Sequence, residues 1–321
     1  MRRTPISVAL VIGDHHSQFT IHHSLLESAR DILKKIRHIE LKTRKLVSTA
    51  FAGQYRSVFK GRGMNFEEVR EYQAGDEVRA IDWNVTARMG HPFIKKFTEE
   101  RELAVMLVVD VSASGEFGSV NLSKRELAAE VACLLAFSAI RNNDKVGLIL
   151  FSDHVEHFIP PRKGSSHTLR LIRDILFFEP AGRGTDPATA LAYLNRVVTR
   201  KSVVFLISDF DAPDDFSREL ALTARRHDLI AMPISDPCEE VLPDAGIVTF
   251  EDAETGELIE VNTSNRAVRK RHAQAMVKRH TALETLLRKQ RIDSIRLRTD
   301  DDYLPALRTF FRVRERRLAL A

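Results

Sequence analysis

Two patterns of hydrophobic positions alternate through the middle of the chain. Leu103–Val109 is an unbroken apolar run that ends at Asp110; it is too short for a helix and lacks the alternation of a half-exposed strand. Similar runs stand at Val146–Phe151, Val203–Ser208 and Leu229–Pro233. Between the runs, apolar residues recur at helical spacing over Lys124–Arg141, Ser166–Phe178, Asp186–Val198 and Asp214–His227. This repetition predicts an α/β fold with a doubly wound, mostly parallel sheet, in which Leu103–Val109 is a central strand.

Other patterns predict elements on either side of this sheet. Apolar residues within 23–47 recur at the spacing of one amphipathic N-terminal helix. Residues 58–100 consist of short segments separated by glycines, which is typical of a small β layer. Val155–Ile159 alternates and stops at two prolines, which is typical of an edge strand. The remaining predicted elements are a hairpin near Val248–Val261, a helix over Asn265–Gln290, a last strand at Ser294–Arg298 and a helix over Tyr303–Arg317.

These elements predict four segments along the chain. Residues 1–50 contain the amphipathic helix, and residues 51–101 form a region rich in β-structure. Residues 102–300 form the α/β domain, and residues 301–321 form a basic C-terminal helix.

Composition narrows the class of protein. With 44% hydrophobic and 29% charged residues, the chain is typical of a globular protein. Its two cysteines, Cys133 and Cys238, lack the spacing of a disulfide or metal motif, so we expect reduced thiols and a cytoplasmic location. The apolar run Ile6–Gly13 is too short for a signal peptide, and no segment reaches the roughly 20 apolar residues of a membrane span. We therefore expect a soluble protein, with peripheral membrane contact left open.

Positive charge is concentrated at the carboxyl end. Residues 264–321 hold 16 Lys or Arg against 6 Asp or Glu, whereas the whole chain has a net charge of +5. Such a segment is suited to an acidic protein, nucleic acid or anionic phospholipid, but it is also typical of a solvated helical face. We favour the solvated face because the segment is rich in good helix formers.

Oxygen-bearing side chains follow the predicted strands. In open α/β sheets, ligands bind beyond the carboxyl ends of the strands. Asp110, Ser112 and Ser114 share a short loop directly after the central strand, Asp209 follows the strand Val203–Ser208, and Thr185 precedes a helix. We expect these oxygens at one sheet edge, where they suit Mg²⁺ or another divalent cation such as Mn²⁺. The alternative is that each residue only caps a local turn or helix.

These five residues match the metal-ion-dependent adhesion site of von Willebrand factor A-type domains, which the chain resembles over about residues 30–235. Within that superfamily it more closely resembles the bacterial "domain of unknown function 58" proteins. The motifs that carry this resemblance are Gly61–Phe66, Arg70–Asp76, Arg79–Asn84, Ala87–Arg88, Arg141–Asp144 and Pro160–Gly164. The resemblance implies that Ser112, Ser114 and often Thr185 ligate the metal directly. It also implies that Asp110 and Asp209 act mainly through bound water.

The ligand set implied by the resemblance favours binding over catalysis. A cation held mainly by neutral hydroxyls keeps much of its positive field, so it is able to accept a carboxylate from another protein. Proteins of this family are commonly encoded beside MoxR-type AAA+ ATPases, which implies a chaperone or assembly role with such an ATPase or its client. We therefore expect a metal-dependent protein-interaction module and not an enzyme.

Two further sets of polar residues attract interest. Asp153 and Asp186 stand close to predicted strand and helix ends, and we expect them at the rim of the metal site. A denser cluster lies in the β-rich region. We favour a buried ion-pair network that fixes this region to the main sheet, and the alternative is a second recognition surface. The cluster consists of Asp76, Arg79, Asp82, Trp83 and Arg88.

Two other functions stay open. The first is a metal-dependent hydrolase or phosphatase that uses Asp110, although Ser112 stands where a haloacid-dehalogenase-like site has its second carboxylate. No Walker loop is present, so we do not expect ATPase activity. The second is nucleic-acid binding through the basic C-terminal tail, for which no aromatic-interleaved motif is present.

Overall fold

The computed structural model of the protein describes residues 8–11, 37–43, 46–47, 52–59, 65–73, 75–98, 103–120, 122–252 and 256–319. The chain divides into two compact units: a small unit of residues 59–103, and a large unit of residues 1–58 and 104–321. Of the helix predicted over residues 23–47, residues 37–43 are helical, and the part before residue 37 lies outside the described residues.

The described strands and helices are as follows. The strands are β1 Val8–Val11, β2 Asn65–Glu71, β3 Phe93–Thr98, β4 Ala104–Asp110, β5 Lys145–Phe151, β6 Val155–Arg162, β7 Val203–Ser208, β8 Asp228–Ser235, β9 Ile247–Asp252, β10 Leu258–Asn262, β11 Asp293–Ser294 and β12 Leu297–Arg298. The α-helices are α1 Ala52–Phe59, α2 Trp83–Met89, α3 Lys124–Arg141, α4 Ser165–Phe177, α5 Pro187–Val197, α6 Ser217–Arg226, α7 Pro237–Glu240, α8 Arg266–Lys289 and α9 Tyr303–Ala319.

The large unit is built on a seven-stranded sheet. Its strands lie in the order β11, β8, β7, β4, β5, β6, and β12 also pairs with β8. Every pair is parallel except β5 with β6. β4 is buried between β5 and β7, which confirms the predicted central strand. β6 is the outermost strand, as predicted, but it continues through Pro160 and Pro161, because an edge strand tolerates residues that lack an N–H group.

Helices pack against the sheet and fix the strand ends. Helix α3 occupies its predicted range and begins at a capping box in which Ser123 and Glu126 satisfy each other's backbone N–H groups. Apolar side chains from four strands and three helices form one buried cluster that includes Met106, Ile149, Leu206, Leu191 and Leu287. Among the residues that the structure describes, none of the helices has the length and apolar character needed to cross a bilayer.

A second, three-stranded sheet belongs to the same unit. β9 lies between β1 and β10 and is antiparallel to both, which confirms the predicted hairpin near Val248–Val261. Leu242, Val248 and Phe250 form its small apolar core.

The small unit combines a hairpin with a short helix. β2 and β3 pair antiparallel, in agreement with the predicted β layer. Helix α2 lies between them and was not predicted. Asp82 caps its first turn by accepting hydrogen bonds from the N–H groups of Asn84 and Val85, and Gly90 ends it with a left-handed φ of 79°.

Candidate metal centre

The loop after β4 folds back over the end of its own strand. The Asp110 carboxylate accepts hydrogen bonds from the backbone N–H of Ser112, at 2.9 Å, and from the Ser208 hydroxyl at the end of β7, at 2.6 Å. The resulting turn places the Ser112 and Ser114 hydroxyl oxygens 3.1 Å apart, and both serines are buried. Asp110 therefore holds the turn that presents the two serines.

Asp209 reaches the same loop from the neighbouring strand. Its Oδ2 accepts the Ser114 hydroxyl at 2.7 Å, and its Oδ1 accepts the backbone N–H of Asp211 at 3.0 Å. The two groups meet because β4 and β7 are parallel neighbours, so that both carboxyl ends lie at one sheet edge. The structure thus brings together four of the five residues predicted to form the site.

The loop Gly182–Asp186 carries the fifth residue. The backbone N–H of Ala113 donates to the carbonyl oxygen of Arg183 at 3.1 Å, which joins this loop to the serine-bearing loop. Thr185 is 2% exposed, and its hydroxyl has no hydrogen-bond partner within the described part of the chain. A buried polar group left without a partner costs about 1–3 kcal/mol, so this hydroxyl is available to a water molecule or a ligand.

A buried lysine also belongs to the site, although the sequence did not reveal it. Lys124, the first residue of α3, is 4% exposed and places its Nζ 2.8 Å from Asp209 Oδ2 and 2.7 Å from Glu239 Oε1. Glu239 lies on the short helix α7. The available signal was the lysine itself, because a cation is disfavoured in the first turn of a helix unless another group compensates it.

The two carboxylates differ in their electrostatic environment. Burial raises the pKa of Asp110 to about 6, and the negative charge of Asp209 acts in the same direction. Burial alone would also raise the pKa of Asp209, but the charge and hydrogen bond of Lys124 outweigh it and hold that pKa below its ordinary value. Burial lowers the pKa of Lys124, but Asp209 and Glu239 together hold it above its ordinary value. Asp110 and Asp209 are neighbouring, partly buried carboxylates, and only Asp209 contacts Lys124, so the site favours a further positive charge.

The donor set fits a hard divalent cation. Hydroxyl and carboxylate oxygens are ligands that Mg²⁺ accepts, and such sites usually retain several waters. A cavity of about 20 Å³ borders Asp110, Ser114 and Asp209, which is room for a single water molecule. Over the described ranges, no three His, Cys, Asp or Glu side chains gather in a metal-binding arrangement. The neutral oxygens beside the two carboxylates are the hydroxyls of Ser112, Ser114 and Thr185.

The predicted rim residues have local partners. Asp186 caps α5 by accepting hydrogen bonds from the N–H groups of Ala188 and Thr189. Asp153 is exposed and lies 2.5 Å from the Nδ1 of His154. Their position beside the metal site stays a prediction, but both already have a contact that explains them.

The cluster in the small unit is not the predicted buried ion-pair network. Trp83 is 67% exposed, and Arg79 and Arg88 are exposed as well. Asp76 pairs with Arg70 instead, through two hydrogen bonds of 2.7 and 2.9 Å. Asp82 is buried because it caps α2. The prediction of a buried network was wrong. Asp76 and Asp82 accept hydrogen bonds from nearby backbone N–H groups, and the side chains of Arg79, Trp83 and Arg88 are exposed to solvent.

The family model for "Protein of unknown function DUF58" matches residues 68–282, about two thirds of the chain. The chain belongs to the DUF58 family. An uncharacterized protein of Mycobacterium tuberculosis is 34% identical over 283 residues, which cover 88% of this DUF58 chain and 89% of the relative. An uncharacterized protein of Bacillus subtilis, YeaD, is 26% identical over 107 residues, which cover 33% of this chain and 25% of that protein.

Solved structures resemble this DUF58 chain more distantly. The conserved hypothetical protein BatB from Bacteroides thetaiotaomicron aligns with a TM-score of 0.43 at 17% identity, over 68% of this chain and all of its own. A proximal thread matrix protein from the mussel byssus, solved with a zinc-occupied MIDAS motif, aligns with a TM-score of 0.34 at 16% identity, over 42% of this chain and 39% of its own.

Proposed function

We propose that this chain is a metal-ion-dependent protein-interaction module with a doubly wound sheet of the von Willebrand factor A type. The observation that carries the proposal is the buried, unpartnered hydroxyl of Thr185, on a loop joined to the Ser112 and Ser114 loop. Mg²⁺ is the proposed cation, with Mn²⁺ as the substitute, because the available donors are hard oxygens.

The residues of the site would have two different roles. Ser112, Ser114 and Thr185 would hold the cation, while Asp110 and Asp209, which fix the serine turn, would accept hydrogen bonds from water bound to the cation. When bound, the cation supplies a positive charge that a carboxylate of another protein is able to neutralise. Lys124 already neutralises part of the negative charge, which leaves fewer anionic groups to quench the field of the cation.

The proposed partner is a MoxR-type AAA+ ATPase or its client. The interaction would serve protein assembly or a chaperone function in the cytoplasm. Support for this partner comes from the family motifs in the sequence and not from any contact in the structure. The interaction is expected to involve an acidic side chain of the partner, because the site presents positive charge to it.

The Thr185→Val variant tests the metal site. The methyl group replaces a hydroxyl that has no hydrogen-bond partner, so in EDTA the variant should be at least as stable as the wild type. Its affinity for Mg²⁺, measured by isothermal titration calorimetry, should fall about 10-fold or more because a ligand is lost. The matched control is Thr43→Val, which removes another buried hydroxyl that has no hydrogen-bond partner among the described residues and that does not belong to the predicted site. An unchanged Mg²⁺ affinity in Thr185→Val would contradict the proposal.

A binding assay tests the function itself. The tagged chain should retain a purified MoxR-type ATPase in buffer with Mg²⁺ and release it in EDTA, and Asp110→Ala should abolish the retention. Retention that persists in EDTA and in the variant would show that the metal site is not the point of contact.

A further inference from the structure

A groove lies at the far edge of the sheet, between the end of α8 and the helix α9. It has a volume of about 980 Å³ and runs along residues 292–296, which include β11. None of the residues proposed to hold the cation lines it. The groove is therefore a feature separate from the metal centre.

The floor of the groove is an edge strand. β11 is the last strand in the sheet order and pairs with β8 on one side. The backbone N–H of Ile295 donates to the carbonyl oxygen of Ala231 in β8. Because successive backbone groups of a strand point in opposite directions, the N–H and C=O of Ser294 face the open side, and Ser294 is exposed. An edge of this kind is a template for an added strand.

The walls of the groove are strongly basic. Five arginines and two carboxylates line it. Arg314 is tied to Asp228 and Asp293, and Arg317 also contacts Asp293. Arg288 and Arg291 are exposed and have no ion-pair partner among the described residues. The groove therefore presents uncompensated positive charge along its rim.

Apolar surface lies beside this charge. Val313 is 41% exposed, and Phe310 is partly exposed and packs beneath the guanidinium group of Arg314, 5.8 Å from the ring centre. An extended peptide has alternating side chains, so one set is able to contact this apolar wall while the other meets the arginines.

We propose that this groove docks an extended acidic segment of a partner protein, which adds as a strand beside β11. The combination of a sheet edge, an apolar wall and a basic rim fits a peptide with alternating acidic and apolar residues. A nucleic acid fits less well, because its phosphates would meet the arginines but would leave the apolar wall of Val313 and Phe310 uncovered.

Fluorescence anisotropy with a labelled peptide of alternating Glu and Val tests this proposal. The full chain should bind it in EDTA, and a peptide of alternating Lys and Val should not bind. The double variant Arg288→Glu with Arg291→Glu should weaken binding by at least about tenfold. Ser294→Pro, which removes the N–H that faces the open edge, should also weaken it, with circular dichroism as the check on folding.

The matched control is Arg308→Glu with Arg312→Glu, two exposed arginines of α9 that do not line the groove. This control has the same change in net charge and should bind the peptide like the wild type. Equal losses in the two double variants would overturn the proposal, as would equal affinity for the two peptides. Binding of a single-stranded DNA oligonucleotide that competes with the peptide and is lost equally in both double variants would show a general polyanion surface instead.

Discussion

Lys124 provides the sharpest test of how the metal centre is built. Its ammonium lies between two carboxylates and the side chain is 4% exposed, so Lys124→Met keeps the apolar stem of the side chain and removes the charge. Asp209 and Glu239 would then be left in a buried position without the cation that now pairs with both. The variant should be less stable without metal and more dependent on it.

The expected magnitudes follow from the burial of the pair. Removing one partner of a buried ion pair costs about 3–5 kcal/mol, and this is the expected loss of unfolding free energy in EDTA. A cation at 100 times its dissociation constant stabilises a protein by about 2.7 kcal/mol. Because the variant has one positive charge fewer beside the site, its Mg²⁺ affinity should rise by about tenfold, which adds about 1.4 kcal/mol to the stabilisation by Mg²⁺.

Urea unfolding in EDTA and at one fixed saturating Mg²⁺ concentration measures both effects. Far-UV circular dichroism is the suitable signal, because helices α3 to α9 all belong to the large unit, whereas the single tryptophan, Trp83, belongs to the small one. Lys201→Met, which removes an exposed lysine, serves as the control and should change little. The reasoning is refuted if Lys124→Met is as stable as the wild type in EDTA, or if Mg²⁺ stabilises both proteins equally.

Two further substitutions test the framework of the site. Gly182→Ala should lower Mg²⁺ affinity about 10-fold or more, as measured by calorimetry, because a Cβ would clash with the Oγ of Ser152, a fully buried hydroxyl that donates to Glu156, and would displace the loop that carries Thr185. Gly53→Ala, where a Cβ meets nothing within 4 Å, should leave that affinity unchanged. Asp236→Ala should cost at least about 3 kcal/mol in urea unfolding, because this fully buried carboxylate accepts hydrogen bonds from both Ser119 and Thr299. A loss under about 1 kcal/mol would show that water replaces those bonds.

The central sheet was predictable because local pattern and tertiary environment agree there. β7 occupies its predicted range because a run of apolar residues buried on both faces has few other ways to fold. The sequence did not predict α2, because its seven residues include Val85 and Thr86, which favour strands. The only local signals for a helix are Asp82 at its start and Gly90 at its end.

The sequence predicted only those parts of the site that lie within one loop or that match a family motif. Asp110, Ser112 and Ser114 are held by contacts within one loop, and the parallel order of the strands brings Asp209 to them. Lys124 meets Asp209 and Glu239 across 85 and 115 positions of the chain. No spacing rule reaches that far, because the contact depends on where the short helix α7 places Glu239 relative to the first residue of α3.

The position of β4 has a consequence for how the metal centre fails. This strand is hydrogen-bonded on both sides along its length and buried throughout its interior, so its amides should exchange with solvent only through opening of the whole large unit. The serine loop is anchored to that strand, whereas β11 and β6 lie at the borders of the sheet and are free to fray first. Partial opening at either border would leave the cation-binding loop assembled, and the capacity to bind metal should persist until cooperative unfolding removes it in a single step.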